Sequence, residues 1–208
     1  MVEQGSDEWK AMRLGKATAS RIADIVRRTK SGAAASRKNY AAQLVAERLT
    51  GKASDGFTNA AMQWGTEHEG AARELYSFMM DCDVEQVDFI PHPKIAMTGA
   101  SPDGLVNGRG LVEFKCPNTA THIETLMGVT IDPDYAIQMQ WQMACTERDW
   151  CDFVSYDPRL PENMQMHIRR VIRDDVRIAE LEKDVSAFLS EIDETVAKLR
   201  ATYQKEAA

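Results

Sequence analysis

Long apolar runs are missing from this chain of 208 residues, and its amino end lacks the charged, apolar and small-residue succession of an export signal. Neither membrane insertion nor secretion is therefore expected, and a cytoplasmic location is. Cysteine is sparse: Cys82, Cys116, Cys145 and Cys151 form no Cys-x-x-Cys and have no matching histidine spacing. This predicts reduced thiols rather than a zinc knuckle or an iron–sulfur cluster. His68, His92, His122 and His167 stand apart from one another, so a histidine metal site or a nucleophile–base pair around Ser or Cys is not indicated. No Pro/Gly/Ser-rich linker and no internal repeat divides the chain, which predicts one domain over residues 1–208. An excess of positive charge is also lacking, the net charge being −7. Its distribution is uneven, however. From Lys10 to Arg48 ten Lys/Arg stand against Asp24 and Glu47, a local balance of +8 that leaves −15 for the rest. A solvated helix face would account for such a run, and so would a local polyanion-binding surface on an acidic protein.

The elements follow from periodicity. Ser6 and Asp7 suit the cap of a short helix carrying Trp9 and Met12, and Thr18 or Ser20 opens another with Ile22, Ile25 and Val26 inward. Arg13 falls between them, and Trp9 is read as core. Residues 30–36 read as a mobile basic loop before the stripe Tyr40, Leu44, Val45 and Leu49, which Gly51 closes. A long helix runs from about Asn59 to Met80. Strands are expected at Val84–Pro91, Ile95–Thr98 and Leu111–Cys116, with Leu105 too isolated to count. Helices follow at Ile123–Met127 and from about Pro133 to Thr146, then an antiparallel pair, Trp150–Tyr156 and Gln165–Ile172. From about 174 the spacing Ile178, Leu181, Val185, Phe188, Leu189, Ile192, Val196 and Leu199 predicts a long amphipathic helix.

The chemistry concentrates between residues 101 and 117, which read Ser-Pro-Asp-Gly-Leu-Val-Asn-Gly-Arg-Gly-Leu-Val-Glu-Phe-Lys-Cys-Pro. Asp103 precedes a hairpin-like turn, and Glu113-Phe114-Lys115 lie on the strand after it. Side chains alternate across a strand, so Glu113 and Lys115 share one face while Val112, Phe114 and Cys116 take the other. Glu-x-Lys by itself is common on solvated hairpins. Two carboxylates and an ammonium on one surface also suit a Mg²⁺ ion bridging Asp103, Glu113 and a phosphate oxygen, with Lys115 beside the attacking water.

Four further blocks extend the pattern: Glu3-Gln4-Gly5-Ser6-Asp7-Glu8-Trp9; Arg13-Leu14-Gly15-Lys16-Ala17-Thr18-Ala19-Ser20; Trp64-Gly65-Thr66-Glu67-His68-Glu69; and Gln138-Met139-Gln140. In this order, over roughly residues 2–160, the five blocks resemble the lambda-exonuclease (YqaJ-like) branch of the PD-(D/E)xK nucleases. The resemblance implies an α/β fold with a central mixed sheet flanked by helices. It implies as catalytic residues Glu69, Asp103, Glu113 and Lys115. Mg²⁺, replaceable by Mn²⁺, would be held by Asp103, Glu113 and the Phe114 backbone carbonyl, with Glu69 on a second ion or acting through water. A pocket for a terminal 5′-phosphate would comprise Arg13, Ser20, Ser101 and Gln138. The same resemblance implies 5′-to-3′ digestion of one strand at double-stranded DNA ends, 3′ overhangs, a homotrimer, a single-strand-annealing recombinase as partner, and a phage or prophage setting in a bacterial cell. An endonuclease on the same core and a catalytically silent DNA-end-binding module are the competing readings. The work of Lys115 on the nucleophile is eased if metals and partial burial lower its pKa.

Overall fold

A computed structural model of the chain describes residues 6–29, 32–54 and 60–203. The Ser6 hydroxyl accepts from the Trp9 N–H and caps α1 (Asp7–Arg13), so Arg13 is the last residue of a helix rather than part of a linker. The short strand β1 (Ala17–Thr18), a 3₁₀ turn over Ala19–Arg21 and α2 (Ile22–Val26) follow. Of the expected loop at 30–36, Lys30 and Ser31 lie outside the described residues. Gly32–Ala33 (β3) instead pairs with Arg28–Thr29 (β2), and α3 (Ala35–Thr50) has already begun at Ala35. Gly51 ends α3 at φ +66°, a left-handed conformation that glycine adopts without Cβ strain.

Helix α4 (Ala60–Met80) is followed not by one strand but by two of two residues each, β4 (Val84–Glu85) and β5 (Ile90–Pro91). The chain changes sheet between them, which a continuous ladder cannot do. The strand expected at Ile95–Thr98 is displaced to β6 (Thr98–Ala100). The His92 ring nitrogen accepts from the N–H groups of Lys94 and Ile95, and Met97 has φ +60°, so the chain is still turning there. Leu105 is in a strand after all, β7 (Gly104–Val106), because a tight turn with Asn107 at φ 49° pairs it with Leu111 of β8 (Gly110–Lys115). Helices α5 (Thr119–Leu126) and α6 (Pro133–Thr146), strands β9 (Trp150–Tyr156) and β10 (Met166–Ile172), and α7 (Asp175–Tyr203) complete the order.

Two sheets organise the molecule. The larger has order β10-β9-β8-β7-β4 and is mixed, with β8 and β9 parallel and the other pairs antiparallel. The smaller is β1-β6-β5. Helix α4 covers one face of the larger sheet, Ala72 and Tyr76 meeting Val112, Phe114 and Val154. On the other face Met139 and Met143 of α6 meet Leu111, Cys151 and Phe153. Beyond α6 a further core joins Tyr40, Leu44 and Trp141 to Leu181, Val185 and Phe188. Each such side chain contributes about 1.5–3 kcal/mol when fully buried, whereas an exposed ion pair contributes about 0.2–1 kcal/mol. The seven buried apolar residues of α7 therefore dock it, not its charges. Among the described residues no helix is long and apolar enough to cross a membrane.

Candidate active site

Strand β8 delivers the centre. Its alternation sends Phe114 into the core under Tyr76, an edge-on contact of 5.8 Å between ring centroids, and turns Glu113 and Lys115 the other way toward α6. Glu113 is only 2% exposed, which makes it a buried carboxylate rather than part of an open surface. Burial of an anion needs donors, and three are supplied: Lys115 Nζ, Gln138 Nε2 and Gln142 Nε2, each 2.6 Å away. Gln138 and Gln142 lie four apart on α6, hence on one helix face. Gln142 is absent from the sequence-derived site, although this spacing from Gln138 marks it. Gln140 of the same motif leaves on another face and bonds the Ile172 carbonyl and the Asp174 N–H.

Asp103 comes from the bend before β7, and its Oδ2 accepts from the Phe114 N–H at 2.7 Å across the hairpin. Burial, then the fields of Glu113 and Glu69, push the Asp103 carboxyl well above the usual carboxylate range, against Lys115 and the Phe114 N–H. Glu69 reaches this cluster from α4, one turn before the buried Ala72, and its carboxyl is also raised, by burial first. Arg73 one turn on bonds Glu69 at 2.5 Å, a partner the sequence reading did not identify.

At Lys115 burial and charge oppose each other. Burial does push its ammonium down, but Glu113, Asp103 and the hydrogen bond to Glu113 together outweigh burial and hold it above its ordinary value. Its Nζ also lies 4.6 Å from the centroid of the Tyr135 ring.

Among the described residues no three His, Cys, Asp or Glu side chains stand as a ready-made metal sphere, and Glu113 gives its oxygens to Lys115, Gln138 and Gln142. The donor chemistry nevertheless fits a hard divalent cation. The raised Asp103 and Glu69 carboxyls, which Glu113 helps to destabilise as anions, are relieved by a cation among them, and oxygen ligands are what Mg²⁺ requires.

Arg13 lies beside this cluster. It donates to the Ser101 hydroxyl at 3.0 Å across 88 residues of sequence, and Ser101 is two residues before Asp103. Burial lowers the Arg13 pKa to about 10, so it remains a cation at neutral pH. A cleft of about 520 Å³ opens around it, lined among others by Trp9, Lys16, Ser20, Arg21 and Tyr40. Trp9 is not core: half-buried, it stacks with its ring centroid 4.0 Å from the Arg13 guanidinium carbon, and its indole N–H has no partner among the described residues. The four residues assigned to the phosphate pocket are thus divided. Arg13 and Ser101 are joined, Ser20 lines the same cleft, and Gln138 is bound to Glu113 instead.

The mixed sheet between helices on which these carboxylates and the lysine sit is a fold found among solved exonucleases. An alkaline exonuclease from Laribacter hongkongensis, LHK-Exo, is 53% identical to this chain, with 97% of this chain and 100% of that one covered at a TM-score of 0.90. A structure of LHK-Exo in complex with dAMP matches equally, at TM-score 0.90. A phage-related exonuclease from Haemophilus somnus 129PT shares the fold at TM-score 0.67 and 18% identity, covering 88% of this chain and 96% of that one. A comparison with curated proteins gives no match. The model of the YqaJ-like viral recombinase domain matches residues 8–149, and the chain belongs to that family.

Proposed function

We propose that this protein is a metal-dependent 5′-to-3′ exonuclease that degrades one strand of linear duplex DNA from a 5′-phosphorylated end and leaves a 3′ overhang for an annealing recombinase. Its family and its likeness to LHK-Exo support a nuclease role in recombination. The observation that carries the finer reading is the pairing of two unlike sites through Ser101-Pro102-Asp103. At one end of that tripeptide Arg13 is bonded to Ser101, and at the other Asp103 belongs to the carboxylate cluster. A cation cleft one short step from a hydrolytic centre suits a strand end whose terminal phosphate is held while the next phosphodiester is cut.

Asp103, Glu113 and the Phe114 carbonyl would hold Mg²⁺ or Mn²⁺, with Glu69 as the outlying carboxylate. When bound, the ion supplies a Lewis acid that neutralises phosphate charge and acidifies water. The protein's own part is positional. The Phe114 N–H fixes Asp103, Gln138 and Gln142 fix Glu113, and Lys115 stands beside the carboxylates to orient the attacking water. The groups that raise Lys115 are the ion's ligands, so its readiness to lose a proton follows from what they hold. A closed homotrimer that encloses DNA is the assembly we expect from the family.

The test uses ends. Wild type should digest linear duplex in Mg²⁺ and leave a covalently closed plasmid intact; cutting of the closed plasmid would favour an endonuclease. An Arg–phosphate pair contributes roughly 1.5–3 kcal/mol, or about 10- to 150-fold. Arg13→Ala should therefore slow digestion of 5′-phosphorylated duplex by such a factor and of 5′-hydroxyl duplex little, and equal losses on both would remove the phosphate-pocket assignment.

A further inference from the structure

The face of the larger sheet that carries Glu113 and Lys115 does not stop at β8. Register places Glu113 opposite Phe153 and Phe153 opposite Arg169, while Lys115 faces Ser155 and Ser155 faces His167. Directly paired residues share a face, so two rows of side chains run from the proposed catalytic pair across β9 to the edge strand β10. Over them lies a cleft of about 270 Å³, with Lys115 at one end, His167 and Arg169 at the other, and Tyr135 of α6 among its walls. Tyr135 is 36% exposed and stacks on Phe153 with ring centroids 6.0 Å apart, so part of the ring is left uncovered in the cleft.

Arg169 is the informative member. Its neighbours are neutralised: Arg170 is bonded twice to Asp152, Arg173 to Asp175 and Arg159 to Asp157. Arg169 has no ion pair or hydrogen bond among the described residues and lies exposed on the cleft rim. His167, whose pKa is lowered by burial and then by His122 and Arg169, offers a neutral ring at pH 7 and above. Two acids occupy the opposite rim, Glu124 and Asp132, and Asp132 is engaged in capping α6. An anion entering this cleft is therefore drawn to the β10 side.

Direction identifies the occupant. Ser101, which Arg13 holds, and Asp103 precede β7, on one side of β8, whereas Ser155, His167 and Arg169 lie on the other side. We infer that this second cleft binds the cleaved strand on the 3′ side of the scissile bond, with Arg169 on a backbone phosphate and Tyr135 against a nucleotide. The inference rests on the function proposed above. Two strand spacings separate β8 from β10, about 10 Å. A strand climbs about 3.4 Å per nucleotide along the duplex axis but also winds around it, so successive phosphates lie about twice that far apart. The contact thus falls at the first or second phosphate beyond the scissile one.

The experiment reads binding, not cleavage. Fluorescence anisotropy with 5′-phosphorylated duplex in EDTA should show Arg169→Ala weaker than wild type by roughly 3- to 10-fold at 0.1 M salt, with the slope of log affinity against log salt reduced by about 0.9. Arg169→Lys should restore the slope, which a packing role would not predict. A duplex carrying one uncharged methylphosphonate at the first or second phosphate beyond the scissile one should abolish the difference between wild type and Arg169→Ala, and replacing the 5′-phosphate by hydroxyl should not. Unchanged affinity and slope in Arg169→Ala, or a difference indifferent to the methylphosphonate, would overturn the inference while leaving the exonuclease reading intact. Wild type that binds duplex but fails to cut it in Mg²⁺ would do the reverse.

Discussion

At the scale of single residues the site is a balance between burial and charge. Glu113 is almost wholly enclosed, and three donors at 2.6 Å satisfy its carboxylate oxygens there. Glu113→Gln and Lys115→Ala should both leave linear duplex at full length in Mg²⁺, a loss of at least 100-fold on the scale of a missing acid–base or charge-stabilising group. Circular dichroism should show both variants folded, and cutting within tenfold of wild type by either would remove that residue from the catalytic set. Asp157 presents a structural counterpart. Burial pushes its carboxyl up, but hydrogen bonds from the Arg159 side chain, Thr119 and the Arg159 N–H outweigh this and hold it at about 2. A carboxyl depressed on folding contributes stability that is complete above its unfolded pKa, near 4, and is lost as pH falls toward 2. Because Arg159 is 43% exposed, the contribution is discounted to about 1–2 kcal/mol. Urea unfolding of Asp157→Asn against wild type should show that deficit at pH 7 and a smaller one at pH 3; a gap that stays constant with pH would assign the loss to packing.

Elements place these residues by contacts far apart in sequence. The β7–β8 hairpin carries Asp103 on one arm and Glu113 and Lys115 on the other, and β8 is held in register by its parallel partner β9. Gly110 begins β8 with the Trp150 ring so close that a Cβ there would lie 2.1 Å from ring carbons. That ring is also held under the Arg170 guanidinium, 3.6 Å from its centroid, and has little room to yield. Gly110→Ala should therefore cost about 1–3 kcal/mol, as overpacking does, and lower the thermal midpoint. Differential scanning calorimetry checks it, and an unchanged midpoint would mean Trp150 moves freely. Gly108, at the turn, has open space around it, and its alanine variant is the control.

For the whole molecule, charge read along the sequence differs from charge read in space. The +8 of residues 10–48 is largely met by acids from elsewhere. Arg28 pairs with Asp184, Arg37 with Glu191 and Arg48 with Asp193, all on α7, Arg27 pairs with Asp134 of α6, and Lys10 and Arg21 pair with Asp7 and Asp24 nearby in sequence. A channel lined by that whole segment is accordingly not what we expect of a trimer; Arg13, Lys16 and Lys38 are the members without an ion pair among the described residues. Light scattering should report three times the 23.3 kDa chain at micromolar concentration. A monomer there would remove enclosure of DNA as the basis for staying on one strand.

The sequence by itself determined the family and most of the elements. Helices α6 and α7 announce themselves by apolar spacing, and Glu113-x-Lys115 by strand alternation, because those periods are local properties of the backbone. What it left undecided are the short strands β4 to β7, too brief for a period and formed only because a partner strand is opposite. Tertiary structure alone decided that Gln138 would bond Glu113, that Gln142 would join it, and that Trp9 would cover Arg13 instead of entering the core. It also decided which carboxylates surround Lys115 and that Arg28, Arg37 and Arg48 would pair with α7. The physical reason is common to all of these. Hydrogen bonds, ion pairs and pKa shifts depend on distances of a few ångströms between side chains, and for residues dozens of positions apart only the folded chain sets those distances.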